Sequence, residues 1–583
     1  MTINSSGTFR RGGDAEQEDS ERLVENYKAE SWKSWPNEAG FIGLEEHRGP
    51  ISLNVKGHIP SWAAGALYRT GPGQNVIENT SRGTHHVSHW FDGFAHTHKF
   101  DIIPPEDPEA SATVTYSSRR QTPDLVEDIK KRGWRASISF AQRADPCVGI
   151  FSKMMATFRP APSGANHNVV VERNVPGFPS GLAKDEAAGH RTGTNNLFML
   201  TDAATIREIH PDTLEPMAIN NPATLNPLLK GQMACAHAPR DPQTGDLFNF
   251  NLEMGRRPTY RIFRANASTG TVDILATLPA PELRAAYIHS MFLTENYVVL
   301  CVPSSHLGWN GAKVPYVNNI AEAIEPFDES RKTQWVVVDR RHGKGVVGRF
   351  TTPAGFFFHA VNAFEDEVPR DDGEGTDLNF DVIWYENTDI IKSFYLDVIL
   401  DRGDAARKLW NQDGGSKTCP PRLNRWRFRL CPDPQTQPYR ADSPSASGEL
   451  VFSIPAPHAG ELPTINPARA TLPYRYVYGN GTRGLSTLID CLVKTDLETR
   501  AATIWAAPTG HTPGEAIFVA RPDAEAGAAE DDGVLLSVVL DGPAQRSYLL
   551  VLDARTMEEV GRAEAEFAVA LGFHGLHAPA VKL

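Results

Sequence analysis

The sequence has 583 residues, of which 40% are hydrophobic and 22% charged, and its formal net charge is -13. This is ordinary globular composition, and the chain is long enough to bury a large core. The acidic balance excludes a nucleic-acid coat protein, because phosphate binding needs basic patches and no long run of lysine or arginine is present. No apolar stretch reaches about 18 residues, so the sequence predicts no bilayer span.

The cysteines are well separated, and none forms a C-x-x-C pair. They are Cys147, Cys235, Cys301, Cys419, Cys431 and Cys491. This spacing excludes a zinc ribbon and does not resemble a disulfide scaffold. We therefore expect a protein of the reducing cytosol that is not secreted, since the polar N-terminal residues also lack the apolar core of a signal peptide.

The N-terminal segment is rich in polar and charged residues. Such composition is typical of chain that cannot bury enough apolar surface to fold. We expect residues 1–35 to form a disordered or loosely attached tail. Since no clean linker follows, residues 36–583 are predicted to form one domain.

Short strand-like runs and turn clusters alternate from about Trp62 onward. The runs are rich in Val, Ile, Tyr and Phe, and Gly, Pro, Asp and Asn separate them. One plan, a strand, a D-x-x-T-like turn and a second strand, recurs in REIHPDTLEP, RIFRANASTGTVDIL, VKTDLETRAATIW and VLDARTMEEVGRAE. Its even recurrence favours an all-β propeller over a pair of β-sandwiches.

Helical patterns are scarce. The best candidates are PDLVEDIKKRGWRAS and TDIIKSFYLDVILDRGDAARKLWN. Both lie between strand-like runs, so we expect them to form a small helical cap over one face of the propeller.

The stretch HWFDGFAHTHKF raises the question of a metal site. His96 and His98 lie two residues apart on one face of a predicted strand, ~7 Å apart between Cα atoms. They could share a metal ion, or they could be core histidines bonded to the backbone. The second interpretation is favoured, because one strand rarely supplies a whole site and no third ligand is offered nearby.

Four isolated histidines are better candidates. Each is a lone imidazole at the end of an apolar strand-like run: His237 in CAHAPRDP, His289 in YIHSMFLTENY, His359 in GFFFHAVNAFE and His574 in LGFHG. Strand ends that converge on a propeller axis would bring them together. Four neutral imidazoles suit Fe(II), Cu or Zn.

These contexts resemble the carotenoid cleavage oxygenase family. The match runs from about Gly43 to the C-terminus and includes YRTGPG, HWFDGFAHTHKF, AHAPRDP, IHSMFLTENY, HAVNAFE, GELPTINP, EAIFVARPDA and GFHG in order. The resemblance implies a seven-bladed β-propeller with a helical cap. It also implies one non-haem Fe(II) per chain, held on the axis by His237, His289, His359 and His574.

The resemblance implies further residues around the iron. Three carboxylates should orient the histidines, and Glu461 and Glu515 match two family glutamates. The third position holds Asp202, which is one methylene shorter, so it stays open whether this carboxylate reaches its histidine directly or through water. Thr201 matches a threonine beside the open coordination position, where it would restrict the space for O₂.

An apolar tunnel for the substrate is also implied. Phe91, Phe358, Trp384 and Phe573 match tunnel positions of the family, although each could equally be a core residue. The expected reaction adds both atoms of O₂ across one C=C bond of a polyene, giving two carbonyl products. It needs no general base, which fits the lack of a Ser/His/Asp or paired-carboxylate motif.

The substrate is less constrained than the chemistry. The resemblance is closest to fungal members that cleave torulene to an apo-4′-carotenal on the way to neurosporaxanthin. Retinal-forming cleavage of β-carotene or β-apocarotenals is the alternative, followed by stilbene cleavage and retinoid isomerisation. Stilbene-cleaving members use a tyrosine near Ser118–Gln121, where this chain offers Arg120. An isomerase or hydrolase on the same scaffold would bind iron without taking up O₂, and a non-catalytic binding propeller would bind no iron.

Polyenes reside in membranes, and ADPCVGIFSKMMATFRPAP resembles the family's membrane-facing patch. Its apolar positions recur at helical spacing and include Ile150, Phe151, Met154, Met155 and Phe158. Such a stripe fits either a helix lying on a membrane surface or a buried helix. We expect peripheral attachment to a membrane from the cytosol, with O₂ and a polyene as partners and no nucleic acid.

Overall fold

The computed structural model describes residues 2–107, 109–144, 166–178, 192–370, 373–430, 446–522 and 527–581. Short strands dominate this part of the chain. In chain order they are β1 (Gly7–Arg11), β2 (Ile51–Ser52), β3 (Asn54–Gly57), β4 (Gly65–Gln74), β5 (Val76–Thr80), β6 (Gly83–His86), β7 (Phe94–Ile103), β8 (Thr113–Arg120), β9 (Val170–Arg173), β10 (Leu197–Leu200), β11 (Ile206–Ile209), β12 (Pro216–Asn220), β13 (Leu247–Glu253), β14 (Thr259–Ala265), β15 (Val272–Pro279), β16 (Phe292–Leu293) and β17 (Tyr297–Val302).

The second half of the chain continues the pattern. Its strands are β18 (Thr333–Asp339), β19 (Val346–Thr352), β20 (Phe356–Arg370), β21 (Gly373–Tyr385), β22 (Arg422–Arg429), β23 (Ala446–Ser447), β24 (Glu449–Pro455), β25 (Glu461–Thr464), β26 (Tyr476–Gly481), β27 (Cys491–Asp496), β28 (Ala502–Ala506), β29 (His511–Pro513), β30 (Ile517–Ala520), β31 (Gly533–Asp541), β32 (Arg546–Asp553), β33 (Glu559–Glu564) and β34 (His574–Pro579).

Most strands pair into seven sheets, and β5 with β6 forms a separate hairpin. The strand orders are β9-β10-β11-β12, β13-β14-β15, β16-β17-β18-β19-β23, β20-β21-β22-β24, β25-β26-β27-β28-β1, β29-β31-β32-β33-β3 and β34-β4-β7-β8-β2, with β30 added to β31. Neighbours in chain order are mostly antiparallel neighbours in space. The protein is a seven-bladed β-propeller, as the sequence predicts.

The ring is closed by strands from opposite ends of the chain. The strand β34 pairs with β4, with His574 opposite Thr70 and Pro579 opposite Gly65. The strands β3 and β33 pair in the preceding blade, and β1 pairs with β28 in the blade before that. Three successive blades thus combine N-terminal and C-terminal strands, so backbone hydrogen bonds join the two ends of the chain where the ring closes.

The recurring turn motif forms the outer hairpins of the blades. In the turn from β32 to β33, the Asp553 carboxylate accepts hydrogen bonds from the backbone N–H of Arg555 and Thr556. Met557 then adopts a left-handed conformation with φ 63°. The motifs that begin at Asn266 and Asp496 form the same side-chain-to-backbone bonds. The short polar side chain at the first position therefore explains why this pattern predicts a turn.

Short helices cover one face of the propeller. They are α1 (Glu16–Lys28), α2 (Pro123–Arg132), α3 (Lys313–Val317), α4 (Ile320–Ala323), α5 (Ile390–Ser393), α6 (Leu396–Ile399), α7 (Ala405–Arg407) and α8 (Gly415–Thr418), with a π-helical turn at Lys408–Gln412. The sequence predicts α2, which ends at the left-handed Gly133. The segment 388–411 is instead broken into short turns, because Tyr395 is extended and Asp401 and Asp404 are left-handed.

The N-terminal segment corrects one prediction. Residues 2–35 are not a loose tail: β1 is the edge strand of a blade, and α1 packs into the cap. The apolar side chains of Leu23, Tyr27 and Trp32 are almost completely buried. Burial of these three side chains stabilises the segment, although its overall composition is mostly polar.

Polar contacts also hold this segment in place. The buried His458 lies 2.9 Å from an Asp19 carboxylate oxygen, which also accepts a hydrogen bond from Arg11. The Arg500 guanidinium binds both carboxylate oxygens of Glu16. The charged side chains of this segment, which its sequence alone would place on a solvated surface, are thus paired, some of them with residues from distant parts of the fold.

Candidate metal centre

Four histidines from four separate parts of the chain meet at one point. One ring nitrogen from each of His237, His289, His359 and His574 lies within 4.8 Å of the others. His359 lies near the start of β20 and His574 at the start of β34, while His237 and Ser290 form an isolated bridge. The lone imidazoles at apolar strand ends are therefore brought together by the converging blades.

Carboxylates orient three of the four rings. The Nδ1 atom of His289 lies 2.9 Å from both oxygens of Asp202, so this contact is direct. The Nδ1 atom of His359 lies 2.5 Å from an oxygen of Glu461. The Nδ1–H group of each ring can donate to its carboxylate, which leaves Nε2 as the free ligand atom.

The third carboxylate contact is built in the same way. The Nδ1 atom of His574 lies 2.8 Å from one oxygen of Glu515, and the backbone N–H of Gly575 donates to the other oxygen at 2.7 Å. Burial raises the pKa of Glu515 to about 7, although the Arg69 guanidinium opposes this shift. No carboxylate contacts His237 in the part of the chain that the structure describes.

The donor set fits a transition-metal cation. The Nε2 atom of His574 lies 3.0 Å from Nε2 of His237 and 3.1 Å from Nε2 of His359. Burial, with neighbouring imidazoles, holds the pKa of His237 and His574 well below the usual range, so neutral rings are favoured. Lone pairs that face one another repel unless a cation lies between them. Four neutral imidazoles are suitable ligands for such a cation.

Two tyrosines complete the arrangement, and the sequence analysis did not single them out. The Tyr287 hydroxyl donates to Asp202 at 2.8 Å, and the Tyr385 hydroxyl donates to Glu461 at 2.6 Å. Tyr287 precedes His289 by two residues, the spacing that puts two side chains on one face of an extended segment. That spacing could have predicted that Tyr287 lies beside His289. No such local signal exists for Tyr385, because its partner Glu461 is far away in the chain.

An apolar cavity of about 580 Å³ opens beside the histidines. Phe91, Phe358 and Phe573 line it, and so does Thr201 next to Asp202. The Phe91 ring centroid lies 5.0 Å from that of Phe573 and 5.6 Å from that of Phe358. The volume is within the range of small-molecule binding pockets.

The fourth aromatic residue predicted for the tunnel lies elsewhere. Trp384 does not line this cavity; its ring packs inside the propeller, 6.2 Å from the Phe357 ring and 6.0 Å from the Trp426 ring. Side chains alternate along β21, so the neighbouring Tyr385 points into the cavity instead. The prediction for Trp384 was wrong by one position.

The histidine pair in HWFDGFAHTHKF is separate from this centre. His96 and His98 are buried side by side on β7, with ring centroids 4.3 Å apart. His98 Nδ1 lies 2.7 Å from the Tyr116 hydroxyl, and burial lowers the pKa of His98 to about 3. Among the described residues, only the other four histidines form a group of three or more that could hold a metal.

The five residues of the predicted patch, Ile150, Phe151, Met154, Met155 and Phe158, lie outside the described residues. Within the described ranges, no helix is both long and apolar enough to cross a bilayer.

The model of the retinal pigment epithelial membrane protein family matches residues 41–579. The chain belongs to this family. The match confirms the carotenoid cleavage oxygenase family identified from the sequence motifs, and it covers all seven predicted histidine and carboxylate positions of the centre.

Two fungal relatives in the family resemble the whole chain. The torulene dioxygenase of Gibberella fujikuroi is 54% identical over 593 residues and covers 100% of both chains. A carotenoid dioxygenase of Neurospora crassa is 49% identical and covers 99% of this chain and 96% of its own. A solved apocarotenoid oxygenase of Synechocystis superposes with a TM-score of 0.67 at 23% identity, covering 94% of this chain and 99% of its own, which supports the fold.

Proposed function

We propose that the chain is a non-haem Fe(II) dioxygenase that cleaves one double bond of torulene, giving an apo-4′-carotenal and a second carbonyl product. The observation that carries the proposal is the meeting of four imidazoles beside an apolar cavity. The identity of 54% to a torulene dioxygenase over both full lengths supports the substrate.

The residues divide the work between holding iron and holding the polyene. His237, His289, His359 and His574 would hold one Fe(II) per chain. Fe(II) held there would supply electrons to O₂. Asp202, Glu461 and Glu515 hold the rings of three ligands in one orientation, which preorganises the site.

The cavity positions the substrate. Phe91, Phe358 and Phe573 exclude water and contact the conjugated chain, while Thr201 limits the space beside the histidines. One atom of O₂ adds to each carbon of the cleaved C=C bond, so two C=O bonds form and no proton is transferred. Positioning is therefore the main task of the protein.

The geometry disfavours one alternative substrate class. A phenolic stilbene would need a polar group near residue 120 to hold its hydroxyl. The Arg120 guanidinium instead donates to the Leu44 carbonyl at 2.9 Å and does not line the cavity. Retinal-forming cleavage and retinoid isomerisation remain outcomes of the experiment that follows.

The test is cleavage of torulene by anaerobically purified, Fe(II)-loaded protein in detergent micelles under ¹⁸O₂. We expect an apo-4′-carotenal that carries one labelled oxygen atom, detected by mass spectrometry. His574→Ala should abolish cleavage and lower bound iron, whereas His342→Ala, at an exposed ring, should change neither.

Each other outcome identifies a different error. Intact torulene with cleavage of β-carotene would contradict the substrate. One iron per chain without O₂ uptake, together with isomerised retinoid, would contradict the dioxygenase chemistry. Absence of bound iron would contradict the metal centre itself.

We propose in addition that the protein attaches peripherally to a membrane from the cytosolic side. Exposed apolar residues lie at the cavity lining and next to it. Ile138 lines the cavity and is 45% exposed, and Tyr316, which is 73% exposed, follows the lining residue Pro315. Trp309 is 61% exposed, and its ring centroid lies 5.1 Å from that of Tyr316. Trp and Tyr are enriched at membrane interfaces because one end of each ring is apolar and the other polar. The four described cysteines are free and buried, which supports a reducing compartment.

Sedimentation with phosphatidylcholine vesicles tests the attachment. We expect the double variant Trp309→Ser and Tyr316→Ser to lose most of its vesicle binding. Leu450→Ser is the matched control, because Leu450 is 45% exposed on β24 and the cavity-lining residues nearest to it in the chain are Pro421 and Glu461. Equal loss in both proteins would show that general hydrophobicity, not this surface, drives sedimentation.

A further inference from the structure

The cavity beside the histidines has two ends of different character. At the outer end lies Ile138, which is 45% exposed. At the inner end lie Tyr27, Trp410 and Cys419, which are 1%, 4% and 2% exposed. A linear apolar molecule can therefore enter at the outer end and meets a wall at the inner end.

The outer end leads to His289. Phe140 follows Ile138 by two residues, and its ring centroid lies 5.3 Å from that of Tyr287. The Tyr287 hydroxyl donates to Asp202, which contacts His289. This side of the metal centre thus faces the opening.

The inner end leads to the carboxylate that orients His359. Tyr385 donates to Glu461, and both line the cavity together with Tyr27. Glu461 and Asn480 are cross-strand partners, and two residues after Asn480 the Thr482 hydroxyl lies 3.0 Å from the Tyr27 hydroxyl. The metal centre therefore lies between the opening and the Tyr27 wall.

The wall is a pair of stacked rings. Tyr27 and Trp410 lie parallel, with centroids 4.2 Å apart and an interplanar angle of 8°. Tyr27 belongs to α1, a helix that precedes residue 41, where the family model begins to match. This wall is thus partly built from an element outside the family match.

The helix that carries Tyr27 is firmly anchored. Its Asn26 amide donates to the Arg483 carbonyl at 2.7 Å, and its Leu23 is 1% exposed. Trp32, just beyond α1, donates from Nε1 to Asp401 at 3.1 Å. The ring of Tyr27 is therefore held at one place relative to the histidines.

We propose that Tyr27 and Trp410 are specificity-determining residues that stop the leading end of the polyene and so select the double bond placed at the metal centre. This inference rests on the proposed function, because it assumes a polyene substrate. A conjugated chain is rigid, so its length beyond the metal is set by the distance to the wall. Removing a ring lets the chain advance, and the cut then falls on a double bond further from the leading end.

The experiment compares the product lengths of variants of the full-length, Fe(II)-loaded protein with torulene. The unchanged protein should give one carotenal. Tyr27→Ala and Trp410→Ala should each add a second pair of products, in which the fragment from the leading end is longer by one or more double bonds and the other fragment is shorter by the same number. The product ratio should change on the order of tenfold, the discrimination typical of one methylene in an apolar pocket. Tyr27→Phe keeps the ring and should keep the original product.

Leu23→Ala is the control for damage to α1. Leu23 is buried on the same helix but does not line the cavity. It should lower the melting temperature without changing the products. Identical products from folded, iron-loaded Tyr27→Ala and Trp410→Ala would overturn the proposal, as would an equal shift in Leu23→Ala.

A second measurement separates this proposal from the proposed function. Quenching of tryptophan fluorescence in the iron-free protein can report binding of apocarotenals of graded length. We expect Tyr27→Ala to bind longer apocarotenals than the unchanged protein does. If torulene is not cleaved but Tyr27→Ala binds longer apocarotenals, the proposed substrate is wrong and the role of Tyr27 is supported. If the variant binds the same lengths as the unchanged protein, the role of Tyr27 is overturned and the proposed function is unaffected.

Discussion

At the scale of single residues, Asp202 shows how a short carboxylate fulfils the role of a longer one. Its two oxygens lie 2.9 Å from His289 Nδ1, and one of them also accepts the Tyr287 hydroxyl at 2.8 Å. Tyr287 itself lies 3.2 Å from the same ring nitrogen. The shorter side chain thus reaches the histidine directly, with a phenol beside it.

We predict that Asp202→Ala weakens metal binding by about 10- to 100-fold, the usual effect of losing a partner that orients a ligand. Titration of the metal-free protein with Co²⁺ against a chelator measures this affinity. Asp328→Ala, at a carboxylate in an exposed turn, is the control. Equal affinities for both variants would contradict an orienting role for Asp202.

The histidines of the centre were predictable because each is a lone imidazole at the end of an apolar strand-like run. Glu461 and Glu515 were predictable only from their match to family motifs, since a carboxylate at a strand edge is otherwise ordinary. The partners Tyr287 and Tyr385 were missed, since a tyrosine in a buried strand is usually a core residue. Trp384 was assigned to the cavity because its position matched, but the alternation of β21 directs its neighbour there. Residue type was thus easier to predict than side-chain direction.

At the scale of elements, α1 packs so closely against Gly484 that any side chain at that position would force the helix or the loop to move. A Cβ atom on Gly484 would lie 2.5 Å from the Leu23 carbonyl oxygen, and Gly484 has φ +77°. The close approach brings the helix backbone onto the loop after β26. Packing of this helix therefore depends on a residue more than 400 positions away.

We predict that Gly484→Ala destabilises the protein by more than the about 1–2 kcal/mol expected for a left-handed alanine, because the methyl group also collides with the helix. Gly343→Ala is a matched control: its φ is +69°, and a Cβ there meets nothing within 4 Å. Thermal unfolding of both variants gives the comparison. A drop in melting temperature for Gly484→Ala no larger than that for Gly343→Ala would show that α1 is not tightly packed.

The turns and blade strands were predictable from local chemistry, since Asp, Asn and Gly form the same bonds wherever the pattern occurs. The order of residues 2–35 was not, because their stabilising partners, such as His458 and Arg500, come from distant blades. The segment 388–411 has a helical pattern that tertiary packing overrides at Tyr395 and Asp401. Local propensity is a weak guide where neighbouring elements determine the backbone.

At the scale of the whole molecule, an ion pair joins two neighbouring blades. Asp241 precedes β13, and Arg340 lies in the turn after β18; Arg340 Nη1 lies 2.5 Å from the Asp241 carboxylate. The backbone N–H groups of Gln243 and Thr244 also donate to Asp241. Burial opposes ionisation, but the Arg340 hydrogen bond and these donors lower the pKa of Asp241 to about 2.

We predict that Asp241→Asn lowers stability by roughly 2 kcal/mol at neutral pH. A carboxylate with a depressed folded pKa stabilises the protein above its unfolded pKa of about 3.9, and this contribution is lost as pH falls toward 2. The difference in melting temperature between the variant and the unchanged protein should therefore be constant above about pH 5 and shrink below about pH 4. A difference that grows on acidification would contradict this sign.

The closure of the ring has a consequence for the order of events during biosynthesis. Three of the histidines precede His574, which follows His359 by 215 residues and lies on the strand that pairs with β4. A nascent chain therefore carries only three of the four histidines in place until its last strand, β34, pairs with β4. Binding of a cation that needs all four rings would stabilise the pairing of this strand, and the pairing would in turn stabilise cation binding. Retention of the cation would therefore indicate that the propeller has closed.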